Sequence, residues 1–299
     1  MQNVPSAPSP SEHSRSIAFS TNTVLFMIMH LLPLLAFFTH VTAFDWVLAV
    51  VLYVVRMFFV TAGYHRYFSH RTFKTSRWFQ AFLAFFALTS VQKGALWWAS
   101  HHRVHHKHSD TELDPHSKKV YGFWESHVGW ILSTLHEETK TELVKDLTKF
   151  PELVWLEKFH YIPPILLATA VTFIGAHVNN SNGMSTLLIS FFLSTIVLYH
   201  ATFSINSVMH WVGKARYNTG DESKNSFILA ILSLGEGWHN NHHYYQSSTR
   251  QGFFWWEIDL TYYALRILSL FGIVWELREV PDHVKYDPEK LLKPETQGV

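Results

Sequence analysis

Hydrophobic and polar residues alternate in long blocks along this chain. From about residue 22 to residue 40 it is apolar almost without a break, and after Thr42-Ala43 a second apolar run covers about residues 44–62. Each run is near the ~20 residues a helix needs to cross the hydrocarbon core of a bilayer. The interruption leaves room only for a tight turn, so the pair predicts a helical hairpin. A second hairpin is predicted over about residues 161–176 and 184–203, around the turn formers of His177-Val-Asn-Asn-Ser-Asn-Gly183. Two further apolar stretches differ in kind. Residues 79–88 are too few to span before Gln92 and Lys93 intervene, and residues 253–275 carry Glu257, Asp259 and Arg266. Both are expected as helices lying in the membrane interface.

Charge placement gives the hairpins an orientation. No Lys or Arg stands between Arg15 and Arg56, and none between Lys158 and Lys214. Both hairpin turns therefore lack positive charge, and the rule that basic residues stay inside puts both termini and the middle of the chain on the cytoplasmic face. The expected fold is an all-α integral membrane protein, with four transmembrane helices in two hairpins and a cytoplasmic helical cap. A fifth span over residues 79–97 would split the histidine clusters described below between two faces. Arg56, inside the second apolar run, is expected to snorkel toward the cytoplasmic interface.

Composition agrees with a lipid setting. Of 299 residues, 48% are hydrophobic and only 16% charged, against roughly 25% charged in a soluble domain. The net charge of +1 offers no footprint for nucleic acid, and the absence of cysteine excludes thiolate metal sites and cysteine nucleophiles. Residues 1–20, with Pro5, Pro8 and Pro10, read as a disordered tail rather than a cleaved signal. One domain is expected over residues 21–280, followed by a C-terminal tail over residues 281–299.

The 21 histidines are the outlier. His102, His105 and His106 stand at i, i+3 and i+4, a spacing that lets one side of a helix converge on one object. His239, His242 and His243 repeat it. His65 and His70 follow the second apolar run, and His210 closes the segment Asn206-Ser-Val-Met-His210. A single such cluster is usually a solvated surface. Four clusters on one membrane face point to metal, and nine imidazoles suit two ions with open positions better than one closed site. Imidazole accepts zinc, copper, iron or nickel, so ligand type alone leaves the element open. Glu236, Asp110, Asp114 and Asp221 are placed to fix ring orientation or to serve as surface charge. Asn206, one turn before His210, can hold a metal-bound water.

At these residues the chain resembles the membrane fatty-acid desaturases, in particular their stearoyl-CoA (Δ9) branch. The matching pieces include Thr61-Ala-Gly-Tyr-His-Arg-Tyr-Phe-Ser-His70, His102-Arg-Val-His-His106, Asp114-Pro-His116, Ser126-His-Val-Gly-Trp130, Asn206-Ser-Val-Met-His210 and Gly235-Glu-Gly-Trp-His-Asn-Asn-His-His243. They run in the family's order over roughly residues 45–275. The resemblance implies a non-haem di-iron centre held by His65, His70, His102, His105, His106, His210, His239, His242 and His243, with Asn206 acting through water. His101, His108, His116 and His127 would not be ligands. It implies an O2- and two-electron-dependent conversion of a saturated acyl chain into a cis monounsaturated one, on an acyl thioester, acyl-CoA first. It also implies a separate electron donor: a ferredoxin, cytochrome b5 or a reductase. A substrate tunnel would pass Gln92 and Trp98 and end at Tyr53 and Met57, where the bulk of Met57 predicts a limit of about sixteen carbons. The chain departs from the family's pattern before His102. There Lys93-Gly-Ala-Leu-Trp-Trp-Ala-Ser-His101 lacks the arginines that meet coenzyme A, so an acyl-carrier-protein thioester or an intact lipid also fits. Hydroxylation or decarboxylation of fatty acids or alkanes on the same histidines is the alternative chemistry. A non-catalytic membrane metal carrier is a third reading, opposed by hairpin spans with no polar path.

Overall fold

A computed structural model describes residues 21–178 and 183–292. The 1–20 tail, the middle of the 177–183 turn and residues 293–299 lie outside the described residues. Apart from a two-stranded antiparallel ribbon joining Lys74–Thr75 to Val274–Trp275, the described architecture is helical.

Helix α1, Thr21–Leu31, tightens into a 3₁₀ segment, Leu32–Phe38, at Pro33. Four residues later α2 begins and runs unbroken over Ala43–Ser69. It starts on a capping box, in which the Thr42 amide donates to Asp45 Oδ2 at 2.8 Å. Asp45 is fully buried, yet it also accepts from the hydroxyl of Thr186 at 2.5 Å, so a carboxylate deep in an apolar bundle keeps its partners. Then come α3, Arg77–Leu88, and α4, Ala95–His108. Helix α5, Pro151–Lys158, meets α6, Ile162–His177, at a bend of 68°, and α7 occupies Gly183–His210. The short α8, His239–Tyr244, and α9, Leu260–Leu270, complete the main helices.

Two of these helices, α2 and α7, are long and apolar enough to cross a bilayer, and the bent α5–α6 pair passes the same test as one broken span. The outward faces of α1, α2 and α6 carry Phe37, Phe38, Val47, Val50, Ile165 and Leu166 exposed. So wide an apolar exterior marks a surface that meets lipid. The main core is interior to it, where Met57, Phe59, Tyr64 and Phe68 of α2 meet Leu83, Ala84 and Leu88 of α3 and Leu198 and Phe203 of α7.

Residues 79–88 are helical, within α3. The expectation for residues 253–275 is corrected: only Leu260–Leu270 is helical, because Glu257 and Asp259 are wholly buried in the turn before it. Asp259 caps α9 by accepting from the Tyr262 amide at 3.0 Å. Residues 282–292 pack back onto the cap, where the Tyr217 hydroxyl donates to the Lys285 carbonyl at 2.9 Å and the Leu292 amide to Arg216 O at 2.8 Å.

Arg56 is also corrected. It does not snorkel; 1% of it is exposed. Its guanidinium donates to the Leu52 carbonyl at 3.1 Å, to Thr195 Oγ1 at 2.6 Å and to Ser194 Oγ, and lies 5.6 Å from the centre of the Phe191 ring. Ser194 and Thr195 also bond backward to carbonyls of their own helix, so removing the cation would not strand them. Arg56→Met, which keeps most of the volume, is therefore expected to change unfolding free energy by no more than ~1 kcal/mol. Arg56→Ala, which opens a void, is expected to cost on the order of 2–5 kcal/mol. Denaturation in detergent compares the two, and equal losses would contradict this account.

Candidate metal centre

Helix α2 ends in a π-helical stretch, Val60–Ser69, buried along its whole length. The His70 amide donates to the His65 carbonyl at 3.3 Å, an i to i+5 bond that wraps the chain more widely than an α-helix. This winding puts His65 and His70 on one side, which a spacing of five would not do in an α-helix. Arg103 locks α4 against that end. It donates to the carbonyls of Phe68 and Ser69 at 2.9 and 3.1 Å and makes a bidentate pair with Asp146 at 2.7 and 3.0 Å.

The nine histidines from four elements meet in two adjoining groups. One is His65, His70, His102, His106 and His242; the other is His105, His210, His239 and His243. The i, i+3, i+4 triplets do not each serve one group, as their spacing had led us to expect. In α4 the i, i+4 pair His102 and His106 enters the first group, and His105 the second. In α8 the pair His239 and His243 enters the second group, and His242 the first. The helical angle explains this: i and i+4 lie about 40° apart around the axis, whereas i+3 and i+4 are about 100° apart.

Within each group the Nε2 atoms face one another. His242 Nε2 lies 2.9 Å from that of His65, 3.0 Å from that of His106 and 3.2 Å from that of His70. The Nε2 atoms of His70 and His102 are 2.9 Å apart, those of His210 and His239 3.0 Å, and those of His105 and His243 3.3 Å. On the other side of the rings, Nδ1 is held by carboxylates. His105 meets Asp114 at 3.0 Å, His210 meets Asp110 at 3.0 Å, His243 meets Asp221 at 2.6 Å, and His65 meets Glu236.

These partners decide the tautomer. A neutral imidazole whose Nδ1–H donates to a carboxylate presents a bare lone pair at Nε2. His105 and His243 then point two lone pairs at one place, and the five-membered group crowds five nitrogens around another. Such sets repel one another unless a cation sits among them, so the residues fit a metal in each group. Proton affinities agree for most of the nine, whereas at His105 burial is outweighed by Asp114, which raises its affinity. Burial first, and the neighbouring imidazoles second, hold His70, His102, His106, His239 and His242 well below the usual histidine range. Burial would raise the Glu236 carboxyl, but His65 and Arg66 outweigh it and bring it down to about 2.

Positioning Glu236 takes two glycines. A side chain on Gly235, at φ +129°, would collide with Asp259 and Arg66, and one on Gly237 with the backbone of Ala230. Arg66 reaches Glu236 at 2.9 Å and Asp259 at 3.0 Å, and is itself 1% exposed. The two asparagines between the α8 histidines hold the helix in place. Asn240 Oδ1 accepts from the Arg216 and Tyr217 amides at 2.7 and 2.8 Å, and Asn241 Nδ2 donates to Glu257 at 2.9 Å. Gln251 was not foreseen: its amide nitrogen lies 2.9 Å from Glu236 and 3.2 Å from His65 Nδ1, and no spacing in the sequence marks it.

A cavity of about 480 Å³ reaches this centre, touching His65, His102, Glu236 and His239. Asn206, Met57, Gln92 and Trp98 line it. Tyr53 is not among the lining residues; its hydroxyl donates to the Leu232 carbonyl at 2.6 Å. Gln92 sits in a turn where Val91 and Lys93 both have φ of +61°, strained backbone for side chains of this kind. The turn is clamped by the hydroxyls of Tyr199 on Val91 O and Tyr64 on Lys93 O, each at 2.7 Å. That fixes Gln92 between Thr202 and Trp98, at 3.3 Å from each. Of the histidines set aside, His116 reaches Asp114 at 3.4 Å behind His105, and His127 meets Ser207 at 2.8 Å away from both groups.

Comparison with known proteins gives the same picture. The profile described as fatty acid desaturase matches residues 42–269. The chain is 35% identical to an sn-1 stearoyl-lipid 9-desaturase of Anabaena variabilis, over 86% of this chain and 93% of that one. It is 36% identical to an acyl-CoA 5-desaturase of Anemone leveillei, over 86% and 78%. It is 31% identical to an sn-2 palmitoyl-lipid 9-desaturase of a Nostoc strain, over 87% and 90%. These relatives are named for lipid and for acyl-CoA substrates, so they do not single out the coenzyme A branch. With its histidine groups, its apolar helices and its match over most of its length, the chain belongs to the fatty acid desaturase family, whose members are oxidoreductases that desaturate acyl chains.

Proposed function

We propose that the protein introduces a cis double bond at the Δ9 position of a saturated acyl chain carried by a membrane lipid, at a pair of irons. The observation that carries this reading is the meeting of two convergent Nε2 groups with one apolar cavity. His65, His70, His102, His106 and His242 would hold one iron. His105, His210, His239 and His243 would hold the other, with Asn206 completing it through a water. The irons supply the oxidising power that cleaves unactivated C–H bonds. Overall, two hydrogens leave adjacent methylenes, and O2 with two electrons and two protons becomes two waters. The electrons come from a separate donor such as a ferredoxin, cytochrome b5 or a reductase.

The residues of this chain do the positioning. Met57, Val60, Phe191 and Phe203 present apolar walls that keep water from the reacting carbons. Gln92, Trp98 and Thr202 form a rigid polar shelf beside His102 where the chain must bend. The carboxylates on Nδ1 keep the rings of His65, His105, His210 and His243 turned inward. In this reading four spans cross the bilayer, both termini and the histidine cap face the cytoplasm, and residues 21–280 form the catalytic domain. Lipid is preferred over coenzyme A because two of the three relatives above are named for lipid substrates, and because the wall before His102 offers a single cation, Lys93.

The test is expression in a host without desaturase, with derivatised fatty acids analysed by gas chromatography and mass spectrometry. New Δ9 monounsaturated acids, lost in His106→Ala, are expected. Hydroxy acids or alkenes over an unchanged set of fatty acids would replace this reading with a different oxidation.

A further inference from the structure

We propose that the acyl chain enters sideways from the bilayer, still esterified to a glycerolipid, through an opening framed by α1 and the first turns of α6. The proposal rests on reading the cavity as the acyl site.

The cavity that touches His65 and Glu236 is also lined by Leu25 and Met29 of α1 and by Tyr161, Ile165 and Ala168 at the start of α6. Those helices are not interior walls. Leu25 is 54% exposed, Tyr161 51% and Ile165 58%. The same side chains therefore border both the cavity and the apolar exterior that faces lipid.

Packing shows why a gap exists there. Helix α1 rests on the middle of α7, through the stacked rings of Phe26 and Tyr199, 6.1 Å apart, and the 3.2 Å contact between His30 and His200. Helix α6 rests on the opposite end of α7. Gly175 lies so close to Thr186 that a Cβ would be 2.1 Å from its hydroxyl, and one on Gly183 would be 2.7 Å from the Thr172 carbonyl. Pinned to α7 at its far end, α6 turns at its own start by 68° into α5. Pro163 and Pro164 fix that bend in the first turn of α6, where a missing amide proton costs nothing. Between α1 and α6 the cavity is bordered by Leu25 and Met29 on one side and by His160, Tyr161 and Ile165 on the other. A tyrosine at such a level suits the boundary between acyl chains and head groups.

Charge selects the occupant. Coenzyme A carries three phosphates, which proteins meet with several Lys, Arg or helix N-termini. Among the residues lining this cavity, Lys93 is the one Lys or Arg, and its amino group is already over the Trp97 ring at 4.8 Å. A glycerolipid needs no such set, because its head group stays in the interface while one tail slides in.

The experiment uses the full-length, iron-loaded protein in nanodiscs. These hold palmitoyl- and stearoyl-bearing phosphatidylcholine, phosphatidylglycerol and monogalactosyldiacylglycerol, with an electron donor and no coenzyme A. A trace of phosphatidylcholine with a photoreactive acyl chain reports on entry without depending on turnover. Double bonds are expected in intact lipids, and photo-crosslinks on α1 and the first turns of α6. Ala168→Trp, which fills the opening, is expected to lower both signals on the order of tenfold or more. Val47→Trp, equally bulky on the lipid face of α2, is expected to lower neither. Conversion of palmitoyl- or stearoyl-CoA, offered in a parallel reaction, while the glycerolipids stay saturated would overturn the lateral route and leave desaturation standing. Undiminished lipid conversion and crosslinking by a folded Ala168→Trp protein would overturn it too. No product from either carrier would remove the acyl-desaturation reading and the route with it.

Discussion

His242→Ala is expected to remove desaturation entirely and to empty the five-histidine group of iron. His242 is the side chain whose Nε2 approaches three others in that group, those of His65, His70 and His106. Deleting it removes the nitrogen that ties the other four together at close range and leaves the group one ligand short. The second group shares none of its nitrogens, so the iron held there should survive in part, and iron content measured on the purified variant should fall by about half. His239→Ala should give the reciprocal result. Changing the supporting carboxylates should do less. Asp114→Asn keeps a polar partner for His105 Nδ1 but loses the charge that fixes its tautomer, and is expected to weaken metal retention ~10- to 100-fold. Retention of full iron and activity by His242→Ala would remove the basis for assigning that group.

Arg66→Leu is expected to be the most destabilising single change away from the histidines, at about 3–5 kcal/mol. Arg66 sits between Glu236 and Asp259, and both carboxylates are buried with it. Removing the cation leaves two negative charges inside the cap without a counter-charge. It also removes the donor to the Thr249 carbonyl at 2.8 Å, which ties the loop after α8 to α2. Chemical denaturation in detergent measures the loss. The double variant Arg66→Leu with Asp259→Asn is expected to recover part of it, because one orphaned charge is gone; a further loss would contradict this account of the triad. Arg66 and Arg56 stand on the same helix, yet only Arg66 is held by carboxylates. The two arginines therefore separate the cost of stranding a charge from the cost of losing volume.

The sequence revealed the site more completely than the scaffold around it. Spacing and residue type picked out the nine histidines that the structure brings into two groups, because two triplets repeat at helical spacing, and the four carboxylates were found with them. Their division into two groups was not legible. It depends on a 40° against a 60° offset around two helices and on a π-helical winding at residues 60–69 that no propensity encodes. Arg56 was misread because snorkelling assumes a neighbour made of lipid, whereas its neighbours are the hydroxyls of α7, 138 and 139 residues away. Residues 253–259 were misread for a related reason. Apolar content suggested helix, while Glu257 and Asp259 were already committed to Asn241 and Arg66 across the fold. Long-range partners override local pattern where polar groups are buried, and a pattern in the sequence cannot show the partner.

The most direct test is the iron content and Mössbauer spectrum of purified, reconstituted wild-type protein. The account predicts one pair of irons per chain, each in nitrogen-rich surroundings. A chain that binds no iron, or holds a single isolated one with full activity, would contradict it.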